Sequence, residues 1–237
     1  MADPFKDLYD KIADRKNEAK EIGPYAGGNG RIDRAVDLIL NEDFPRSGGL
    51  LDVGGATGNL GYALREHFTW RHVLEIAEAC RIPAEAKGNS FTLQFMSDGV
   101  TMPYKDSNFN LVTALDFIEH IIDPEKFASE CFRVLRPDGK VLINTPNIQF
   151  WRHLNSLVVD GHFPHTSGDR EAYHGGHVAF YNFQDMVKIF GEAGFTDLRM
   201  HTRGLTPDAP PPIWSSISKV GNIQLSYADL IFSARKP

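Results

Sequence analysis

The residues best suited to chemistry open with the run Leu50-Leu51-Asp52-Val53-Gly54-Gly55-Ala56-Thr57-Gly58-Asn59. Its apolar start reads as a buried parallel strand. The glycines after it let the backbone turn sharply and leave bare peptide open to a ligand. A turn built for a dinucleotide pyrophosphate needs G-x-G-x-x-G, so that the phosphates meet a helix N-terminus. Counted from Gly54, that pattern requires glycine at Ala56 and Asn59, and it fails at both. Asp52, two residues ahead of the turn, suits a cationic ligand better than a phosphate. The bland alternative is a βα turn with a spare aspartate.

Further candidates fall where later strands should end, the edge at which open parallel sheets bind ligands. Glu75 closes the second apolar run, about 20 residues after the turn, where an acid can hold a ribose. One carboxylate can accept from both ribose hydroxyls at once. Ser97-Asp98-Gly99 closes the third run, and Asp98 there can accept from a base amino group. Asp116-Phe117-Ile118-Glu119-His120 gathers two acids and an imidazole after the fourth run. Hard oxygen ligands with imidazole suit Mg2+ or Mn2+. Five of the nine histidines lie between His153 and His177, among Phe150, Trp151, Phe163, Tyr173, Phe180 and Tyr181. The pairs His162-x-x-His165 and His174-x-x-His177 have a zinc-like spacing, but no cysteine ligand accompanies them. Each histidine taken singly also reads as a surface residue.

In order along the chain, these segments resemble the class I S-adenosylmethionine (SAM)-dependent methyltransferases. The turn is similar to their Asp-x-Gly-x-Gly-x-Gly motif, with Ala56 at the middle glycine. Met102 to Val112 resembles an "LPF-x-D-x-x-FD-x-V" segment, with Asn110 in place of Asp. Asp116 to His120 resembles "E-x-x-EH", and Arg133 to Lys140 resembles "RVLKPGG", with Asp138 at one glycine. Thr145-Pro146-Asn147 completes a series that covers residues 49–147.

The resemblance, to a group with ubiquinone-pathway and sugar O-methyltransferases, implies a cofactor, SAM, whose ammonium and sulfonium are cationic. It implies cofactor contacts at Asp52, Gly54, Gly55, Gly58, Glu75, Asp98, Gly99 and Asp116. It further implies a small-molecule acceptor methylated on a hydroxyl, under a cap built after the fifth strand. The stretch 177–182 is similar to the family's "H-x-R-F-F-T", with Ala179 at the arginine, which leaves an anion site there without its usual residue. His177 is the expected general base or acceptor ligand, with His174 next and His120 as the third catalytic candidate. Some relatives hold a divalent cation with the acid-x-x-Glu-His spacing, which here is Asp116, Glu119 and His120. Competing readings are N-methylation of a small amine, metal-assisted 2′-O-methylation of an RNA end, and a non-catalytic SAM-binding protein. A dehydrogenase fits least, given the broken phosphate fingerprint.

The elements that must carry these residues alternate strand and helix, which predicts right-handed crossovers. The fold expected is α/β: a Rossmann-like, seven-stranded, mostly parallel sheet with helices on both faces and a closing antiparallel strand. Strands are placed near Gly49–Val53, His72–Ile76, Thr92–Met96, Leu111–Leu115, Lys140–Asn144, Thr196–His201 and Tyr227–Ala234. Helices are placed near Asn59–His67, Glu78–Lys87, Pro124–Leu135 and Asn182–Ala193. Residues 4–20 put Phe5, Leu8, Tyr9 and Ile12 on one helical face. A second helix presents Ile32, Ala35, Val36 and Ile39. One domain is expected over 1–237, with a helical lid about 1–40 and a substrate cap about 146–181. The proline-rich run from Gly204 to Gly221 reads either as a rigid loop over the acceptor or as a homodimer contact.

A length of 237 residues suits one α/β domain. The net charge of −6 argues against a broad nucleic-acid footprint, which needs clustered Lys and Arg. Two cysteines, Cys80 and Cys131, give no disulfide framework and suggest a reducing compartment. No run is long enough to span a bilayer, and Met1 to Lys20 has no apolar leader segment. A cytoplasmic location without membrane attachment is the expectation.

Overall fold

The computed structural model describes residues 30–94, 101–166, 176–217 and 222–237. Asp98, Gly99 and His174, and the helix expected over 4–20, lie outside the described residues. Seven strands form one sheet: β1 (Gly49–Val53), β2 (Trp70–Glu75), β3 (Ser90–Leu93), β4 (Phe109–Leu115), β5 (Leu135–Pro146), β6 (Thr196–His201) and β7 (Asp229–Arg235). Their order is β3-β2-β1-β4-β5-β7-β6. The first five run parallel, and β7 pairs antiparallel with both β5 and β6. This is the mostly parallel sheet that the alternation of runs predicts, with the antiparallel closing strand that the family resemblance implies.

Successive residues of the central strands face opposite sides, so the apolar runs feed two cores. Leu51, Val53, Val112, Ala114, Ile143 and Phe232 meet helices α4 (Pro124–Val134) and α6 (Phe183–Glu192) on one face. Leu50, Leu111, Leu142 and Ile231 meet α1 (Arg31–Asn41) and α2 (Asn59–Ala63) on the other. Phe109, Phe127, Phe190 and Phe232 are fully buried, each stabilising the fold by about 1.5–3 kcal/mol. Within α1 Ala35, Leu38 and Ile39 are buried, with Ile32 and Val36 packed against the same core, so Leu38 adds to the expected face.

Two helices end sooner than their periodicity suggests. After Ala63 the chain tightens: Arg65 N–H donates to Tyr62 O and His67 N–H to Leu64 O, at 3.3 and 3.0 Å. The helix expected over Glu78–Lys87 splits into a 3₁₀ turn, Glu78–Cys80, and α3 (Arg81–Ala86). Pro83 has no N–H to donate to Ala79, so one continuous ladder cannot form. Three further helices, α5 (Trp151–Val158), α7 (Pro212–Ile217) and α8 (Asn222–Ser226), were not expected from the sequence. One of them, α7, falls in the proline-rich run and α8 follows directly after it.

Because β1, β2, β4 and β5 are parallel, their carboxyl ends share one edge of the sheet. The turn at 54–58, Glu75, the stretch Asp116 to His120 and Asn147 all stand along that edge. The fold thereby collects the candidate residues.

Candidate active site

Asp52, near the end of β1, is 4% exposed, and Thr113 Oγ1 donates to its Oδ1 at 2.7 Å. Burial pushes its pKa up to about 7; the charge of Glu75 adds to this, while the Thr113 hydrogen bond opposes it. Its Oδ2 lies under the turn, 2.5 Å from where a Cβ on Gly55 would stand. Gly54 has φ +69°, and a Cβ there would sit 2.6 Å from the Phe117 ring. Asp52 therefore acts on the turn from beneath rather than from its open face.

Glu75 ties the end of β2 to the same turn. Its Oε2 accepts the Ala56 N–H at 2.9 Å, and its Oε1 accepts Ile76 N–H at 2.8 Å and Ala77 N–H at 3.1 Å. Three backbone N–H groups thus converge on this one carboxylate and fix it at the edge of the turn. Ala56, at the motif's middle glycine, has φ +45°. The substitution keeps the left-handed turn at a cost in strain of about 1–2 kcal/mol.

β4 ends in Asp116, also left-handed with φ +53°. Its N–H donates to Asn144 O at 2.8 Å, and Asn144 Nδ2 donates to its Oδ1. Arg31 of α1 pairs with its Oδ2 at 3.0 Å. A 3₁₀ turn, Ile118–His120, follows and sends Glu119 inward, to 1% exposure. Thr145 Oγ1 donates to Glu119 Oε2 at 2.9 Å, while Oε1 is buried without a hydrogen-bond partner. Burial, with the charge of Asp116 beside it, pushes the Glu119 pKa up to about 8.

The segment 176–179 returns to this turn through its backbone. Val178 and Ala179 N–H both donate to Glu119 O, at 2.8 and 3.1 Å. That anchor brings His177 Nε2 to 3.9 Å from Glu119 Oε1 and sets its ring 4.9 Å from that of His120. Thr166 Oγ1 lies 2.9 Å from His177 Nδ1. His120 Nδ1 lies 3.0 Å from Gly176 O, a group that only accepts, so Nδ1 carries the proton and Nε2 a lone pair. Burial lowers the His120 pKa.

Glu119, His120 and His177 each offer a ligand atom, all within 4.8 Å of one another. Asp116, the first acid of the expected metal set, is held by Arg31 and Asn144 instead. The structure thus brings the two described histidines of the catalytic expectation together, with Glu119 between them. Sequence reasoning missed the α1 arginines: Arg31 reaches Asp116, and Arg34 reaches Asp229 at 2.8 Å. Their spacing of three on one helix face was the available signal. It also gave no role to His153, whose Nδ1 lies 2.9 Å from Asn147 O and whose ring feels the charge of Asp229.

The sheet carries a glycine turn and an acid and imidazole cluster along its carboxyl edge. Residues 26–199 match a family described as a methyltransferase domain. The chain belongs to that family and is a SAM-dependent methyltransferase. It is 28% identical over 173 residues to a ubiquinone/menaquinone biosynthesis C-methyltransferase of Roseobacter denitrificans, covering 65% of this chain and 69% of that protein. It is 26% identical over 112 residues to a ubiquinone biosynthesis O-methyltransferase of Coxiella burnetii, covering 46% of this chain and 48% of the relative. The chain therefore spans about half the length of that O-methyltransferase. In fold it is similar to phosphoethanolamine N-methyltransferase 2 of Haemonchus contortus in complex with SAM, with TM-score 0.67 and 15% identity. That likeness covers 100% of this chain and 60% of the other. Among the described residues, no helix is long and apolar enough to cross a membrane.

Proposed function

We propose that the chain transfers the methyl group of SAM to a hydroxyl of a small molecule, of the sugar or natural-product class. The observation that carries this reading is the Glu119–His177 pair, an imidazole facing a buried carboxylate across 3.9 Å. Methyl transfer from a sulfonium is an in-line displacement: the acceptor oxygen forms the new C–O bond as the S–C bond breaks. The hydroxyl proton must leave, and His177 is the group to take it, with Glu119 beside the imidazolium that forms. A neutral amine acceptor needs no such base, because its nitrogen already carries a free lone pair.

Glu75, Gly54, Gly55 and Gly58, with Asp52 beneath, form the proposed seat of the cofactor. Asp98 and Gly99, proposed for the adenine end, and His174, proposed beside His177, belong to the same reading. Three of the four departures from the family pattern, all but Ala179, keep the local geometry, which supports a working enzyme over a non-catalytic SAM binder. Ala56 and Asp138 adopt left-handed backbone, at φ +45° and +63°. Asn110 Oδ1 accepts the Gly49 N–H at 3.0 Å, the acceptor role an aspartate would fill.

A second reading adds a divalent cation, Mg2+ or Mn2+. The buried, unpartnered Glu119 Oε1 and the Nε2 lone pair of His120 fit one ion, with His177 as third ligand. Bound there, the ion would act as a Lewis acid that lowers the pKa of the acceptor hydroxyl. The acidic net charge of −6 weighs against an RNA acceptor.

The test is transfer of a labelled methyl group from SAM to a panel of hydroxylated small molecules, by wild type and His177→Ala. Loss of transfer in the variant with S-adenosylhomocysteine affinity retained supports the reading. Equal transfer by both proteins contradicts it.

A further inference from the structure

We infer that Asn89 and Lys87 are positioning residues that set the cofactor turn from beneath, through the carbonyls of Thr57 and Gly58. The inference rests on reading that turn as the seat of SAM. Asn89 stands just before β3 and is 5% exposed. Its Nδ2 donates to Gly58 O and to Ala84 O, both at 3.1 Å. Lys87, at the end of α3, donates from Nζ to Thr57 O at 2.9 Å. Gly58 O also accepts the Tyr62 N–H of α2 at 3.0 Å, so helix and amide hold that carbonyl together, while Lys87 holds Thr57 O from the α3–β3 connection. Trans peptide geometry then points the N–H of Asn59 the opposite way.

The glycine pattern carries the same message. A Cβ on Gly58 would stand 2.3 Å from Asn89 Nδ2, and one on Gly61 would stand 2.0 Å from Asn89 Oδ1. Apart from Asn89, the nearest atom to a Gly61 Cβ is Arg71 Cβ at 3.4 Å, an ordinary contact. Gly61 lies inside α2, where a glycine is otherwise unfavourable relative to alanine. The space left at Gly58 and Gly61 is therefore filled by the chain's own amide. Gly58 lacks a side chain because Asn89 occupies the room, and its φ of +71° adds a second reason.

The experiment is calorimetric titration with S-adenosylhomocysteine of wild type, Asn89→Ala, Lys87→Met, Gly61→Ala and the Asn89→Ala/Gly61→Ala double variant. Thermal midpoints are read in parallel. Lys87→Met keeps the half-buried stem and removes only the donor, so it carries the test if Asn89→Ala fails to fold. The expected result is binding about tenfold weaker for Asn89→Ala and for Lys87→Met. Gly61→Ala should weaken binding in the wild-type background and add no further loss once Asn89 is alanine. Unchanged affinity in both Asn89→Ala and Lys87→Met, with only the midpoint moved, overturns the inference and leaves the cofactor reading intact. No binding by wild type overturns the cofactor reading itself, and the inference with it.

Discussion

Glu119 Oε1 faces His177 Nε2 across 3.9 Å, buried and without a hydrogen-bond partner of its own. An acceptor of protons and an orphaned carboxylate oxygen therefore share one small space at the carboxyl edge of β4. In Glu119→Gln the side chain keeps its shape and loses the charge it carries above about pH 8, so the assay is run at about pH 9. Methyl transfer to a hydroxyl should fall by about 10²-fold, at the lower end of what general-base support contributes. S-adenosylhomocysteine affinity, measured by calorimetry, should stay within about twofold, since the substitution keeps the side chain's shape and its Thr145 hydrogen bond.

The same pair sets the expected pH dependence of metal binding. Glu119 must lose its proton to ligate, and its pKa is pushed up to about 8. Mn2+ affinity should therefore climb as pH rises toward that value, and level off above it. The paramagnetic resonance signal of Mn2+ reports this directly. Binding that is pH-independent, or that survives in His120→Ala, would sink the Glu119–His120–His177 site.

Asp52 predicts a stability effect of definite sign. Its folded pKa of about 7 lies above the ordinary carboxylate value, so its contribution is complete at acid pH and lost as pH rises through 7. Asp52→Asn removes that loss. Urea unfolding should find the variant more stable than wild type, relative to their difference at about pH 4, once the pH reaches about 8.5. Parallel pH profiles for the two proteins would contradict the assignment.

Ala56 holds a left-handed backbone at φ +45°. Ala56→Gly removes about 1–2 kcal/mol of strain and costs about 0.5–1 kcal/mol in backbone entropy. A net stabilisation of roughly 0.5 kcal/mol, read from denaturant midpoints, is the expected outcome. Destabilisation would mean that the methyl group of Ala56 makes a contact worth more than the strain.

The sheet was legible because apolar runs bounded by glycine and charge leave few alternatives for strands such as Gly49–Val53. Glu75 and Asp116 were legible for the same reason, since strand ends fix which residues meet at the edge. Helix α5 was missed because it buries no residue fully, while Leu157 and Val158 stay exposed. Trp151, Leu154 and Val158 do fall at i, i+3 and i+7, so the helical spacing was present but no core stripe singled it out. The pairing of His120 with His177 depends on the backbone bonds of segment 176–179 to Glu119 O, and nothing local in the sequence encodes those. Asn89 was invisible for a like reason: its partners, Gly58 and Gly61, reveal it only when their missing side chains are measured against it.

The central claim, methyl transfer to a hydroxyl with His177 taking the proton, is tested most directly with paired acceptors. Each pair would share one carbon skeleton and differ only in carrying a hydroxyl or an amine, with labelled SAM as donor. The account predicts label on the hydroxyl compounds, and loss of that label in His177→Ala. Label on the amines alone, untouched by the substitution, would contradict it.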